Sequence, residues 1–304
     1  MSSTPAPHQQ KKLDFQRDII HAGDCSRMDA LPNEAVGLII SGPPYWTFID
    51  YHAFAEGKPY LWQQVDSYDL YLQSLATWHH ECFRVLAPGR YCILNLATIE
   101  RDGKTYPIPF HAVSILEQIG FHFRFEIVWH KVSGGRPRAR NFVKKPLPGR
   151  FSPNIRTEYL LVFQKTPKEP FRPGLIKELH DLYRINIDDF FVREIANNVW
   201  HIPPPHKGKN PVHPCPFPDE IPLRLIELFS LPGETVLDPF MGVGTTARAA
   251  KALDRYFIGY EKEDKFREYA NRALRTPIVR RSSLVCQYKS FERSAFPGGA
   301  VEDR

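Results

Sequence analysis

Seven short runs rich in apolar residues alternate along this chain with longer stretches of helical periodicity. The runs are 18–21, 37–41, 90–96, 121–131, 158–165, 234–238 and 255–261. The helical stretches are 67–86, 107–120, 218–230, 245–253 and 262–274. A strand that reads apolar without interruption has both faces buried, so helices must lie on both sides of its sheet. The alternation therefore predicts an α/β domain with a mostly parallel sheet. Ser67 stands where an N-cap belongs, Pro88-Gly89 follows the first helix, and Gly120 closes the second.

Size and composition agree. The chain has 304 residues, 42% hydrophobic and 24% charged, as in ordinary globular proteins. No segment approaches the roughly 18 apolar residues of a membrane helix. Met1 to Gln10 lacks the apolar core of a secretory signal. Both features predict a cytoplasmic, nucleoid-associated protein. The five cysteines, Cys25, Cys82, Cys92, Cys215 and Cys286, are odd in number and contain no C-x-x-C pair. A disulfide framework and a four-cysteine zinc site are both disfavoured, and no metal is expected. The net charge of +6 is compatible with a polyanionic partner.

The segment Thr235 to Thr246 is the most informative. An apolar strand ends in Asp238, a turn holding Gly242 and Gly244 follows, and a helix opens near Thr245. Glycines permit a tight turn and close approach of backbone to ligand, while the helix start offers free N–H groups. The spacing is G-x-G without the Gly-Lys-Ser/Thr of a phosphate loop. The next strand ends in Glu261, about 20 residues on, where an acid can accept from two ribose hydroxyls. A second strand, Gly37 to Ser41, runs into Gly42-Pro43-Pro44-Tyr45-Trp46. Two prolines cannot continue a central ladder, and they leave carbonyl acceptors on a stiff backbone. Tyr45 and Trp46 add flat faces suited to stacking on a base.

These two motifs, in this order, resemble those of the β-group DNA amino-methyltransferases. That family carries a (D/N/S)-P-P-(Y/F/W) motif and an F-x-G-x-G motif, the latter matched by Phe240 to Gly244. The similarity runs from about Asp18 to Leu274. It implies the S-adenosylmethionine-dependent methyltransferase (Rossmann-like) fold, circularly permuted, with a mostly parallel seven-stranded sheet. It also implies S-adenosyl-L-methionine as cofactor, held by Asp24, Cys25, His213, Pro216, Phe217, Pro218, Asp238, Pro239, Phe240, Gly242, Gly244, Thr245, Thr246 and Glu261. The catalytic segment would be Ser41, Gly42, Pro43, Pro44, Tyr45 and Trp46, acting on a base flipped from duplex DNA. Its first position is Gly42, which has no side-chain acceptor. Either Ser41, one residue earlier, or the backbone carbonyls must then face the amine. A Ser-containing, Trp-trailed version resembles enzymes of cytosine N4, with adenine N6 as the alternative and an inactive DNA-binding module as the second. A cytosine-C5 enzyme would need a nucleophilic Cys at the catalytic strand.

Residues 131–150 hold Lys131, Arg136, Arg138, Arg140, Lys144, Lys145 and Arg150 with no acid among them, a pattern suited to phosphate contacts. Lys207 and Lys209 form a weaker patch. The expected organisation is a disordered lead-in at 1–15, a catalytic half at 16–165 and an insertion at 166–212 serving target recognition. A cofactor half at 213–275 completes the same domain, and a tail occupies 276–304. Double-stranded DNA is the expected partner, with no membrane. A homodimer and a cognate restriction enzyme fit the same reading.

Overall fold

The apolar runs pair into one sheet in the computed structural model, which describes residues 15–46, 67–132, 147–149, 153, 155–167, 194–205, 218–276 and 278. The elements in chain order are β1 (Ile19–Ala22), β2 (Val36–Ser41), α1 (Tyr68–Val85), β3 (Leu86–Leu96), β4 (Ile99–Arg101), β5 (Lys104–Tyr106) and α2 (Ile108–Ile119). There follow β6 (Phe121–His130), β7 (Thr157–Lys165), β8 (Val199–His201), α3 (Glu220–Phe229), β9 (Thr235–Asp238), α4 (Thr245–Ala252), β10 (Tyr256–Glu261) and α5 (Asp264–Ala273). The sheet order is β1-β10-β9-β2-β3-β7-β6-β8, parallel from β1 through β3 and antiparallel where β7 meets β3 and β6.

Successive residues of a strand face opposite sides, and the core divides accordingly. Ile39, Cys92, Leu94 and Leu96 pack with α1 and α2 on one face. Leu38, Ile40, Ile93 and Val162 pack with α3 and α4 on the other. Local signals hold the helices in place. The Ser67 side chain accepts from Leu70 N at the start of α1, and Gly120 takes the left-handed conformation that ends α2. Pro88-Gly89 plays a different part from the one expected. The helix stops at Val85 and β3 begins at once, its register against β2 jumping from Val36↔Leu86 to Leu38↔Tyr91. The prolyl residue lies inside that irregularity, where no ladder N–H is required.

Two features depart from the expected seven strands. The main sheet has eight, because β8 from the 166–212 insertion adds in parallel to β6. Val128 N donates to Asn198 O at 2.7 Å, Ile202 N to His130 O at 3.1 Å, and the Trp129 indole to Ile202 O at 2.7 Å. Three residues in a Pro-rich stretch give no periodicity to detect. A separate hairpin, β4–β5, turns at Asp102-Gly103, both with positive φ. Asp-Gly is a favoured pair for such a turn.

Candidate active site

Parallel strands share one carboxyl edge, and in α/β sheets ligands bind outside that edge. Here β1, β10, β9, β2, β3, β6 and β8 all end on it, and β7 begins on it. The pairing of β2 with β9 (Leu38↔Val236, Ile39↔Leu237) brings the two motifs, separated by about 200 residues in the chain, onto adjacent strand ends.

On the β9–β10 side, Glu261 is buried and its carboxylate organises the glycine turn. Oε2 accepts from Gly242 N at 2.7 Å and Oε1 from Glu263 N at 2.8 Å. Each oxygen keeps a further lone pair for a ligand hydroxyl. Asp238 is buried as well, and its Oδ1 accepts from Phe240 N at 2.9 Å. Burial pushes the Asp238 carboxyl up to about 6 and that of Glu261 up to about 7. Gly244 caps α4 at φ +84°, and a Cβ there would lie 2.9 Å from Ala270 Cβ. Thr245 and Thr246 are buried in the first turn of α4, Pro239 is buried beside Asp238, and Phe240 stands edge-on to Trp78 at 5.0 Å.

The β1 end supplies Asp24. Gly23 N donates to Glu261 O at 3.0 Å, and Asp24 Oδ1 caps the turn by accepting from Ser26 N at 2.7 Å. Cys25 departs from the expected ligand role. Its side chain is 1% exposed and lies in the α1-side core, where burial raises its thiol well above the ordinary value. The loop after Asp24 is fastened to α1 by Arg84, which donates to Met28 O, Leu31 O and Asn33 Oδ1 at 2.9–3.0 Å and to Glu81. Glu81 in turn accepts from Met28 N at 2.8 Å. Removing a charged donor leaves these acceptors without it. Arg84→Ala is therefore expected to cost about 2 kcal/mol in a denaturant titration.

On the β2 side, Ser41 is fully buried and its Oγ lies 3.2 Å from His79 Nε2. His79 Nδ1 is 2.7 Å from Leu75 O. A carbonyl only accepts, so Nδ1 carries the ring proton and Nε2 accepts a hydrogen bond from the Ser41 hydroxyl. Burial pushes His79 down to about 4, which keeps the ring neutral at pH 7. Strand alternation explains the placement, since Ser41 shares the α1 face with Ile39. His79 was not legible as a site residue, being one polar position on the apolar stripe of a helix. Pro43 is buried, while Gly42, Pro44 and Tyr45 are partly exposed. Trp46 differs from its expected stacking role. It is 2% exposed, with Tyr106 at 4.4 Å and Tyr68 at 4.9 Å, and the Arg101 guanidinium lies 5.4 Å from its ring. The β4–β5 hairpin thus anchors the end of the Pro-Pro segment through this indole.

Lys131 also differs from expectation. Its ammonium is half-buried and pairs with the buried Glu158, so it is committed to an ion pair within the sheet edge. The other basic residues, Arg136, Arg138, Arg140, Lys144, Lys145, Arg150, Lys207 and Lys209, lie outside the described residues. So do His213, Pro216 and Phe217. Pro218 is buried at the start of α3, its carbonyl accepting from Ile221 N at 3.1 Å. Among the described residues no helix is long and apolar enough to cross a membrane, and no cluster of His, Cys, Asp and Glu could hold a metal.

Comparison with known proteins identifies the family and the fold. The family model of the N6/N4 DNA methylases matches residues 36–272. The type II methyltransferase M.MjaI of Methanocaldococcus jannaschii is 33% identical over 270 residues, covering 79% of this chain and 85% of that one. M.BglII of Bacillus subtilis is 28% identical over 300 residues, covering 90% and 71%. A Thermus thermophilus chain described as a DNA modification methylase, solved with S-adenosyl-L-methionine, superposes with a TM-score of 0.62. It is 26% identical, over 84% of this chain and 92% of that one. The cytosine-N4-specific PvuII DNA methyltransferase shares the fold at 17% identity, with a TM-score of 0.63 over 92% and 93% of the two chains. A permuted α/β sheet with both motifs on one edge, and a family match across both of them, lead to one conclusion: the chain belongs to the N6/N4 DNA methylase family.

Proposed function

We propose that this protein transfers a methyl group from S-adenosylmethionine to N4 of a cytosine flipped out of duplex DNA. The observation that carries the reading is the β2–β9 pairing, which brings the strand end leading into Gly42-Pro43-Pro44-Tyr45 next to the one that ends in the buried Asp238, with the buried Glu261 one strand further on. The β9–β10 end fits the cofactor. Glu261 has acceptor capacity left for ribose hydroxyls, and the buried Asp238 is a counter-charge for a cationic amino-acid group. Bound there, S-adenosylmethionine supplies an electrophilic methyl on a sulfonium sulfur.

Everything else is the chain's work. A base amine is a weak nucleophile because its lone pair is delocalised into the ring. Acceptors on a rigid turn draw its hydrogens out of the ring plane and restore the lone pair as the methyl approaches. The Ser41 hydroxyl already donates to His79, which supports the reading in which main-chain carbonyls of the Pro-Pro turn face the amine. The motif lacks an acid at its first position, and this favours cytosine N4 over adenine N6. Tyr45 supplies the flat face against the base, while Trp46 secures the turn.

The test is to treat DNA with the enzyme and cofactor, digest it to nucleosides and weigh the products. N4-methylcytosine is the expected product. N6-methyladenine would replace the base assignment and keep the chemistry. No methylated base, together with no cofactor binding by calorimetry, would leave a DNA-binding module.

A further inference from the structure

The carboxyl edge carries a third polar group, on the side of β2 away from the cofactor. Asn95 lies near the end of β3 and is 4% exposed. Its Nδ2 donates to Glu158 Oε2 at 2.8 Å, and the other oxygen of Glu158 pairs with Lys131. Glu158 sits at the start of β7 and is 3% exposed on its side chain. Lys131 is fixed in turn, its N–H donating to Arg156 O at 2.9 Å and its carbonyl accepting from Arg156 Nη2 at 3.2 Å. The start of β7 and the residue after β6 therefore hold one amide on β3.

The ion pair determines which way that amide faces. A carboxylate only accepts, so Asn95 must turn its amino group to Glu158 and its carbonyl oxygen away. That oxygen, Oδ1, is buried and has no hydrogen-bond partner. Such a group costs about 1–3 kcal/mol and is uncommon in native proteins. The β2–β3 register pairs Ser41 with Leu94. One residue further on, Asn95 comes abreast of Gly42, the position where the catalytic motif has no side chain.

We infer that Asn95 is a further catalytic residue, whose side-chain carbonyl accepts a hydrogen bond from the target amine and supplies the acceptor missing at Gly42. Glu158 and Lys131 are positioning residues that hold the amide in the required orientation. The inference rests on the amino-methyltransferase reading. In the transfer the amine lone pair forms the new N–C bond, the electrons of the broken S–C bond return to sulfur, and the excess proton leaves nitrogen for water. Asn95 takes no proton. It stabilises the charge that grows on the N–H as the bond forms.

The experiment compares the full-length wild type with Asn95→Ala and Glu158→Gln. Methylation of DNA, cofactor binding by calorimetry and the thermal midpoint are measured for each. Asn95→Ala is expected to lower kcat about a hundredfold, with cofactor affinity within twofold of wild type and the unfolding transition still cooperative. A merely structural residue would shift the midpoint and leave kcat of the folded protein intact. Glu158→Gln keeps the shape of the side chain and removes the charge that orients the amide, so a loss of about tenfold is expected. If Asn95→Ala keeps kcat within threefold of wild type, or loses cofactor binding in step with kcat, the inference is overturned. Should Asn95→Ala fail to fold, Glu158→Gln decides: unchanged kcat overturns the inference and a tenfold loss supports it. A wild-type enzyme that methylates no base in DNA overturns the reading beneath it as well. An active wild type with equally active variants overturns this inference alone.

Discussion

Gly244→Ala is expected to lower the free energy of unfolding by about 2–4 kcal/mol and to weaken cofactor binding at least tenfold. Two costs combine. The residue sits at φ +84°, a conformation that costs an L-residue about 1–2 kcal/mol. Its new methyl would also stand 2.9 Å from Ala270 Cβ and 3.1 Å from Ala270 Cα, and the latter is main chain of α5 that cannot swing aside. Either α5 or the glycine turn must move, and the turn is the part that carries Gly242 N against Glu261. Gly103→Ala is the control. It has a similar φ of +76° in the β4–β5 turn, with nothing within 4 Å of the new methyl. Chemical denaturation should show Gly103→Ala losing only the backbone part. Equal losses at the two positions would refute the packing argument, and undiminished calorimetric binding by Gly244→Ala would place the cofactor elsewhere.

Asp238→Asn is expected to stabilise the free protein at pH 8 by about 3 kcal/mol and to reduce cofactor affinity at least a hundredfold. In the unfolded chain the carboxyls of Asp238 and Glu261 ionise near 3.8 and 4.5, whereas in the folded protein they hold their protons to about 6 and about 7. The folded state thus binds these protons more tightly. The stability contributed is full below about pH 4 and is lost as pH rises through 6 and 7, on the order of 3 kcal/mol for each group. Glu81, held below its ordinary value by hydrogen bonding to Arg84, acts in the opposite direction at lower pH. Comparing variant with wild type cancels that contribution. The stability difference should be small below about pH 4, grow mainly between pH 4 and pH 6, and level off above about pH 7. A difference independent of pH would show that Asp238 is not a buried, uncompensated charge. In the proposed function, that costly carboxylate is kept for the cationic group of the cofactor.

Much of the fold was legible because its signals are local. Strand runs and helix stripes were read to within about two residues for most elements, and Ser67 and Gly120 cap the helices they were expected to cap. The glycine turn was legible for the same reason, since Asp238, Gly242, Gly244 and Glu261 lie within one strand–helix–strand unit. The readings that changed all depend on partners distant in sequence. Lys131 looked like the first of a basic run until Glu158 paired with it. Trp46 looked free to stack until the hairpin at 99–106 closed over it. The eighth strand needed β6 to pair with, because three residues carry no pattern of their own.

The sequence by itself determined the α/β class and the order of the two motifs, because apolar periodicity and turn residues are properties of short windows; the chemistry was implied by the resemblance of those motifs to the DNA amino-methyltransferases. Which way each side chain faces was decided only by the tertiary structure. Strand alternation turned Ser41 to His79 on the α1 layer. The β2–β3 register brought Asn95 abreast of Gly42, and an ion pair 27 residues apart in the chain settled the orientation of its amide. Those relations are set by strand pairing and by the cost of burying charge without a partner, and neither can be read from one window of sequence.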